Sequence, residues 1–354
     1  MTDDDIRFRE FVRTVGRGEK RARPLNFDDA RTAMEMILDG RADPQQSAAL
    51  LLACRMKGED PLELAGFTAA LQERCAVLKL SPEQREHCVS VGHPYDGRED
   101  TFIMGAGAAI VAAAGGATVV LHGAPRVPAK HAPGVAEVFA ALKVPAYLAP
   151  DAAAGCAAQH GFAHADTRSF VPTWSAQLDV REKIGLRLPF STIEKLLDPA
   201  RCGNLVVGIA HGPYLAKIGG ALQRLNVASG LIVQGLEGSC DLSPQHPARI
   251  AVVLPPGSEH AAEEIAVDPK ALGLSPALDV RAVGADPARS AELTRAAFSG
   301  SADSEARAAA EAIALNAGVL LWRARLCADL KAGFERAREL ITSGAARERL
   351  SAFG

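Results

Sequence analysis

The first part of the chain, up to about residue 80, carries apolar residues at helical spacing. Asn26 precedes the first of these stretches as an N-cap, and Gly40 follows it as a stop signal. A second stretch covers residues 46–57, and a third begins after Pro61. The apolar positions of the first stretch are Ala30, Ala33, Met34, Ile37 and Leu38. This pattern predicts an N-terminal helical unit.

Beyond Pro82 the pattern changes to short apolar runs that alternate with helical stretches. The predicted strands are residues 88–91, 118–121, 205–209, 227–233, 249–253 and 278–280. The predicted helices are residues 135–142, 214–225, 290–298 and 304–341. Such alternation is typical of a mostly parallel sheet covered on both faces. We therefore predict an α/β fold: an N-terminal helical domain plus a larger α/β domain with a central, mostly parallel sheet flanked by helices.

The expected domain boundary lies between residues 1–85 and residues 86–354. Residues 180–199 are helical but stand between sheet elements, so we expect residues 175–200 to join the N-terminal helices in space. Residues 103–121 carry no charge and are nearly long enough to cross a bilayer. They break at Gly115 and Gly116, and β-forming residues follow. A buried helix, a turn and a buried strand are therefore expected there, with no membrane span.

Composition and charge narrow the class of protein. The chain has 354 residues, 48% of them hydrophobic and 23% charged, which excludes wholesale disorder. A formal net charge of −3 excludes a globally basic protein but permits a local basic face. Seven scattered cysteines without a CxxC motif favour reduced thiols over a zinc site or a disulfide framework. With no apolar run at the N-terminus, we expect a cytoplasmic protein.

Two loops that each follow a predicted strand could bind phosphate. Residues 92–97 (GHPYDG) and residues 122–130 (HGAPRVPAK) contain glycines, whose backbone N–H groups can approach a phosphate closely. Arg126 and Lys130 add the positive charge that a phosphate needs. Ordinary surface turns have the same composition, so the residues alone leave both interpretations open.

A third loop, residues 234–241 (QGLEGSCD), also follows a predicted strand. Its two carboxylates, Glu237 and Asp241, are the kind of ligand that binds Mg²⁺ directly or through water. A solvated acidic turn would look the same. Arg181 lies on a helical stretch with other basic residues. Basic residues at such a spacing usually form the solvated face of a helix.

Residues 25–79, with Asp29, Ala30 and the run Arg55-Met56-Lys57-Gly58, resemble anthranilate phosphoribosyltransferases. More broadly they resemble glycosyltransferase family 3, which includes the pyrimidine nucleoside phosphorylases. The similarity continues through residues 91–144, 180–199, 205–241 and 316–346. It implies homodimers formed through the N-terminal helices. It also implies a cleft between the domains that binds phosphoribosyl pyrophosphate, Mg²⁺ and a small aromatic acceptor, as in tryptophan biosynthesis.

The resemblance assigns roles position by position, with departures. The family's Gly-Thr-Gly-Gly-Asp-Gly loop is residues 92–97 here, and Pro94 removes a backbone donor. Its Lys-His-Gly-Asn motif becomes residues 121–124, without the lysine and the asparagine. Its metal-binding Asp-Glu pair becomes Glu237-Gly238, with Asp241 as a stand-in, and Arg181 matches an arginine that contacts the acceptor. The implied phosphate- and ribose-binding residues are Gly92, Tyr95, Asp96, Gly97, His122, Gly123, Arg126 and Lys130.

The resemblance predicts a glycosyltransferase that moves a phosphoribosyl group from an activated donor to a nitrogen nucleophile such as anthranilate. Two alternatives stay open. A non-catalytic nucleic-acid-binding or regulatory homologue would use a basic N-terminal run, although aromatic residues for stacking are scarce there. A nucleoside phosphorylase would share the fold and need only inorganic phosphate. The basic run comprises Arg7, Arg9, Arg13, Arg17, Lys20, Arg21 and Arg23.

Overall fold

The computed structural model describes residues 2–18, 20–274 and 278–353. The chain begins with four helices of 12–14 residues, each capped by a polar side chain that accepts a hydrogen bond from the first turn. Asn26 is the N-cap that the sequence predicts for the second of them. The N-terminal helices are α1 (Asp3–Val15), α2 (Phe27–Leu38), α3 (Pro44–Lys57), α4 (Pro61–Glu73) and the short α5 (Pro82–Glu86).

A seven-stranded sheet follows, with the strand order β3-β2-β1-β4-β5-β6-β7. The first five strands are parallel, and β6 and β7 pair antiparallel at one edge. The strands are β1 (Cys88–Gly92), β2 (Thr118–Gly123), β3 (Phe162–Asp166), β4 (Asn204–Ile209), β5 (Ser229–Gln234), β6 (Ala248–Val253) and β7 (Ala262–Val267). The predicted mostly parallel sheet is confirmed.

Helices cover both faces of this sheet. Before β4 the chain forms α6 (Gly105–Ala114), α7 (Val135–Ala141), α8 (Pro150–His160), α9 (Thr167–Phe170), α10 (Pro172–Ser175), α11 (Leu178–Ile184) and α12 (Phe190–Ile193). A 3₁₀ turn (Glu194–Leu196) follows α12. The remaining helices are α13 (Tyr214–Arg224), α14 (Val280–Val283), α15 (Pro287–Phe298), α16 (Ser304–Arg323), α17 (Leu330–Thr342) and α18 (Ala345–Ser351).

Side chains that alternate along the strands separate two apolar cores. Val119 and Leu121 of β2 face a core shared with α6, α15 and α16. Val120, between them, faces a second core that includes the N-terminal helices. This period-two alternation gives each face of the sheet its own helical layer. The uncharged stretch forms the expected helix and strand, α6 and β2. None of the helices in residues 2–18, 20–274 and 278–353 has the length and apolar character of a membrane span.

Several sequence predictions were wrong in detail. The predicted strand at residues 278–280 is instead the start of α14, because Asp279 caps that helix through Arg281 N and Ala282 N. The helix predicted over residues 304–341 is two helices, separated where Asp329 caps α17. Strands β3 and β7 were not predicted. Four of the six residues of β7 are exposed, so it lacks a continuous apolar run.

The segment after β3 lies against the N-terminal helices. Gln177 donates a hydrogen bond to the carbonyl oxygen of Ile37 in α2, at 3.3 Å. Arg55 of α3 donates to the carbonyl oxygen of Arg187. Phe190 and Ile193 of α12 share the apolar core of α2 and α4. These contacts bring the segment's cationic residues to the boundary between the helices and the sheet.

Candidate active site

A cleft of about 580 Å³ opens between the N-terminal helices and the carboxyl ends of β1, β4 and β5. Ligands of open α/β sheets bind outside the carboxyl ends of the strands, where the strand order reverses. In this sheet the reversal falls between β1 and β4, which is where the cleft lies. The charged and polar residues that line it include Arg55, Glu59, Asp96, Arg187, Ser191, Thr192, Lys195, His211, Tyr214 and Glu237.

Asp96 and Arg187 form a two-point ion pair in this cleft. Arg187 Nε donates to Asp96 Oδ2 at 2.6 Å, and Nη2 donates to Oδ1 at 2.9 Å. The Asp96 side chain is 3% exposed, whereas that of Arg187 is 36% exposed. The carboxylate therefore fixes a guanidinium that keeps access to the cleft. Bidentate pairing of this kind gives an arginine a defined orientation.

Glycines allow the loop after β1 to fold against its neighbours. A Cβ at Gly92 would lie 2.0 Å from the carbonyl oxygen of Lys195. Gly97 has a φ of +80°, and a Cβ there would lie 2.0 Å from the carbonyl oxygen of Ala132. Both glycines are thus required by close backbone approach. The structure gives them a packing role, and their predicted contact with phosphate stays a prediction.

Tyr95, His122, Gly123 and Arg126 lie around a second, much smaller cavity of about 30 Å³. Tyr95 is buried, and its Oη lies 2.5 Å from His122 Nδ1 and accepts a hydrogen bond from Thr167 at 2.9 Å. Arg126 is exposed. Of the predicted phosphate-binding residues, only Asp96 lines the larger cleft. Gly92, Gly97 and Lys130 line neither of the two cavities.

Burial keeps the histidines of this region neutral. It lowers the pKa of His122 to about 3 and that of His164 to about 3. It lowers the pKa of His93 to about 4, partly offset by the nearby carboxylate of Asp241. A neutral imidazole carries both a donor and an acceptor nitrogen. His122 therefore offers hydrogen bonding rather than positive charge to a ligand.

Arg181 is buried beneath the cleft. Its side chain is 1% exposed and pairs with Glu194, with Arg181 Nη1 2.7 Å from Oε2. It also donates to the carbonyl oxygen of Pro128 at 3.1 Å, and it lies over the Trp174 ring. Burial raises the pKa of Glu194, although the Arg181 charge acts in the opposite direction. A direct contact between Arg181 and an acceptor would require these short helices to rearrange.

Glu237 is held by the loop that follows Asp96. Its Oε2 accepts from Glu99 N at 2.8 Å, and its Oε1 accepts from Asp100 N at 3.1 Å and from the Thr101 hydroxyl at 2.7 Å. Lys130 Nζ lies 3.3 Å from Oε2. Burial alone would raise the pKa of Glu237, but these donors outweigh it and lower the pKa to about 2.

Asp241, the second predicted metal ligand, is bound to Arg98. Arg98 Nη1 lies 2.5 Å from Asp241 Oδ2, and each side chain is 2% exposed. The same guanidinium donates to Thr101 and Ser239, and its Nε lies 3.9 Å from Glu237 Oε1. Sequence analysis missed Arg98, although it directly follows the candidate phosphate loop.

These contacts do not fit a Mg²⁺ site on Glu237 and Asp241. Mg²⁺ requires several free oxygen ligands around it. Here cationic side chains and backbone N–H groups already bind the carboxylate oxygens, and Asp241 is enclosed. In the part of the chain that the structure describes, no three His, Cys, Asp or Glu side chains are grouped as metal ligands.

Comparison with known proteins defines the class. A family model for a glycosyl transferase family, helical bundle domain, matches residues 9–75. A model for a glycosyl transferase family, a/b domain, matches residues 96–347. The chain therefore belongs to this glycosyl transferase family, and the resemblance noted in the sequence is confirmed.

The relatives that the chain resembles within this family include anthranilate phosphoribosyltransferases. That of Chloroflexus aggregans is 33% identical over 328 residues, which is 93% of each chain. The crystal structure of the Thermus thermophilus anthranilate phosphoribosyltransferase superposes with a TM-score of 0.80 at 28% identity, covering 98% of both chains. The Saccharomyces cerevisiae enzyme, in complex with PRPP and Mg, shares the fold with a TM-score of 0.78 at 19% identity, covering 98% of this chain and 96% of that one. The chain is thus similar to phosphoribosyl-transferring glycosyltransferases along nearly its whole length.

Proposed function

We propose that this protein transfers a phosphoribosyl group from phosphoribosyl pyrophosphate, or a similar sugar phosphate, to a nitrogen nucleophile such as anthranilate. One observation carries the proposal. A cleft with exposed cationic groups lies at the point where the strand order reverses, in a chain similar to such enzymes over 93% of its length. The proposed place in metabolism is tryptophan biosynthesis.

The transfer needs positioning and charge rather than a covalent nucleophile. As the bond from C1′ to the pyrophosphate oxygen breaks, the ribosyl carbon gains positive charge and the leaving group keeps the electron pair. The acceptor nitrogen then bonds to C1′ and loses a proton. In the proposed mechanism Arg187, oriented by Asp96, faces the anionic part of a substrate in the cleft. Prealigned cations of this kind stabilise charge that develops in a transition state.

The predicted phosphate loops have supporting roles in this proposal. Arg126 is exposed beside the smaller cavity, and Lys130 is half-buried between Glu99 and Glu237. An arriving pyrophosphate would compete with these carboxylates for Lys130. We propose that Arg181 acts on the acceptor through Ser191, to which it donates at 3.3 Å and which lines the cleft.

The support for magnesium in this proposal is the structure of the Saccharomyces cerevisiae relative in complex with PRPP and Mg. No step of the proposed transfer uses Mg²⁺ bound to Glu237 and Asp241, since their oxygens bind other groups. An assay with anthranilate and phosphoribosyl pyrophosphate, with and without Mg²⁺, tests the activity. Product formation that fails in Arg187→Met and persists in the surface variant Lys183→Met supports the proposal. No product under any of these conditions contradicts it.

A homodimer through the N-terminal helices is the proposed assembly. An open groove of about 590 Å³ between α1 and α3 carries charges of both signs, including Asp5, Arg13 and Asp43. A surface of mixed sign can complement a second copy related by twofold symmetry. Light scattering should give twice the chain mass, and a monomer mass at micromolar concentration would refute the dimer.

Nucleic-acid binding is a second candidate, favoured by one observation. The basic residues at and after the end of α1 are exposed, among them Arg13, Arg17, Lys20 and Arg21. Arg13 is paired with Glu10, which reduces its free charge. A gel shift at low salt that disappears in charge-reversal variants of Arg13 and Arg17 would support this function. No retardation at low salt would exclude it.

A further inference from the structure

Lys195 lies beside the paired strands β1 and β4, where the strand order of the sheet reverses. It belongs to the 3₁₀ turn Glu194–Leu196, and its carbonyl oxygen packs against Gly92 at the end of β1. Its Nζ donates to the carbonyl oxygen of Gly208 in β4 at 2.6 Å. The ammonium group is therefore held between the carboxyl ends of β1 and β4, on the wall of the 580 Å³ cleft.

The carboxylates around Lys195 are committed to other cations. Asp96 is paired with Arg187 at 2.6 Å, and Glu194 is paired with Arg181 at 2.7 Å. Among residues 2–18, 20–274 and 278–353, no carboxylate forms an ion pair with Lys195 within 4.0 Å. An ammonium has three N–H donors, and the carbonyl oxygen of Gly208 accepts one of them. Two donors and one positive charge are left for a ligand.

Burial lowers the pKa of Lys195 to about 8. The groups that face it are His93 and Asp96 from the loop after β1, Arg187 and Glu194 from the segment before β4, and Cys240 from the loop after β5. Of these, Arg187 lowers the pKa further, whereas Asp96 and Glu194 raise it. A partly desolvated ammonium without an anionic partner gains most when a ligand supplies that partner.

We propose that Lys195 directly binds an oxyanion group, carboxylate or phosphate, of a small molecule in the cleft. Thr192, Ser191 and Arg187 line the same cavity and can share that group. This inference rests on the proposed function for the location of the cleft, and it requires no transfer chemistry. Lys195 is not among the phosphate-binding residues that the sequence predicts. The two cations in that predicted set, Arg126 and Lys130, do not line this cavity.

Labelling with pyridoxal 5′-phosphate tests the proposal, because this probe joins a phosphate to an aldehyde. The Lys195 amine adds to the aldehyde carbon, water leaves to give an imine, and borohydride reduces the imine to a stable secondary amine. Peptide mass spectrometry should find Lys195 modified before the exposed Lys183. Lys195→Met should lose that label, and Lys183→Met should keep it. Modification of Lys183 with Lys195 untouched would overturn the proposal.

Protection experiments distinguish the source of the oxyanion. Pyrophosphate and benzoate are added separately before the label. Protection by pyrophosphate alone assigns the site to a phosphate, and protection by benzoate alone assigns it to a carboxylate. Failure of both to protect Lys195 at millimolar concentration would contradict a binding site for a small oxyanion.

Calorimetry with the protecting anion separates binding from a structural role. Lys195→Met should weaken affinity by about 10- to 100-fold, the loss expected for one charge-assisted hydrogen bond. Lys195→Arg should keep the affinity. As the pH rises from about one unit below to one unit above the pKa of Lys195, the wild-type affinity for the anion should fall. The affinity of Lys195→Arg should stay constant over the same pH range. A pH-independent wild-type affinity, or affinity within about twofold of wild type in a folded Lys195→Met variant, would refute the assignment.

Failure of this inference and failure of the proposed function give different results. Anion binding at Lys195 without any phosphoribosyl transfer would leave the inference standing and contradict the proposed activity. Transfer activity that survives in Lys195→Met with unchanged substrate affinity would support the activity and contradict the inference. Urea unfolding of each variant confirms that the comparison is made on folded protein.

Discussion

Arg98 and Asp241 form a buried ion pair, with 2.5 Å between Nη1 and Oδ2, across 143 positions of sequence. It ties the loop after β1 to the loop after β5 beneath the cleft. Asp241 also accepts from Met104 N at 3.0 Å, so the same carboxylate anchors the segment that leads into α6. One guanidinium therefore connects the loop after β1 to the loop after β5.

Removing this arginine should destabilise the fold. In Arg98→Met the Asp241 carboxylate stays buried without its cation, which typically costs about 3–5 kcal/mol of unfolding free energy. Urea unfolding measures the loss. The double variant Arg98→Met/Asp241→Leu should recover part of it, since no uncompensated charge remains. If the free energy of unfolding falls by less than about 1 kcal/mol in Arg98→Met, the ion pair does not hold the two loops together.

Magnesium alone should not bind at Glu237 and Asp241. Arg98 and the backbone N–H of Met104 bind Asp241 Oδ2. Lys130 and three N–H or O–H donors bind both carboxylate oxygens of Glu237. Titration calorimetry with Mg²⁺ and no donor should therefore give only the heat of dilution, and the melting temperature should not rise. A saturable heat that Glu237→Gln abolishes would contradict this expectation.

The pair of Asp96 and Arg187 should control substrate affinity. Asp96→Asn removes the anion that orients the guanidinium, so we expect kcat/KM for the donor to fall by about 10- to 100-fold. Arg187→Lys should not restore it, because an ammonium cannot make the two-point contact. Steady-state kinetics provides the measurement, with Lys183→Met as a surface control. Wild-type kcat/KM in Asp96→Asn would remove the pair from the mechanism.

Acid should destabilise the protein through its buried histidines. His93, His122 and His164 have pKa values of about 3 to 4 in the folded chain, below the value of 6.5 for an exposed imidazole. As pH falls below 6.5 the unfolded chain therefore binds protons that the folded chain does not. Each histidine should cost up to about 1.4 kcal/mol of stability per pH unit over this window.

Urea unfolding at several pH values tests this expectation. The raised pKa of Glu194 acts in the opposite direction, since its folded form binds a proton more readily. His164→Gln should make the stability less steeply dependent on pH than in wild type. The free energy of unfolding is compared at neutral pH and at one to two pH units below about 6.5, the ordinary pKa of an imidazole. Equal values at the two pH conditions would contradict neutral burial of these side chains.

The sequence was informative where local signals determine structure. Gly115 and Gly116 correctly marked the turn between α6 and β2, and Asn26 correctly marked the start of α2. Strand β3 was missed because its five residues include a histidine and an aspartate, although all five are buried. Polar residues at buried positions interrupt the apolar run by which a buried strand is predicted.

The cleft was harder to predict than the fold. Arg187 and Asp96 are 91 positions apart, and no local pattern reports a pairing at that distance. The same holds for Arg98 and Asp241, whose contact changes a predicted metal ligand into a buried ion-pair partner. Lys195 gave no signal because its environment depends on β1 and β4 meeting beside it. Long-range contacts of this kind follow from topology rather than from residue type.

Direct detection of phosphoribosyl transfer is the most direct test of the account. Purified protein is incubated with phosphoribosyl pyrophosphate and anthranilate, and mass spectrometry follows the N-linked phosphoribosyl product while pyrophosphate is assayed separately. We predict that product and pyrophosphate form in equal amounts and that Arg187→Met abolishes both. Absence of product, together with no rise in melting temperature at millimolar donor, would contradict the proposed function.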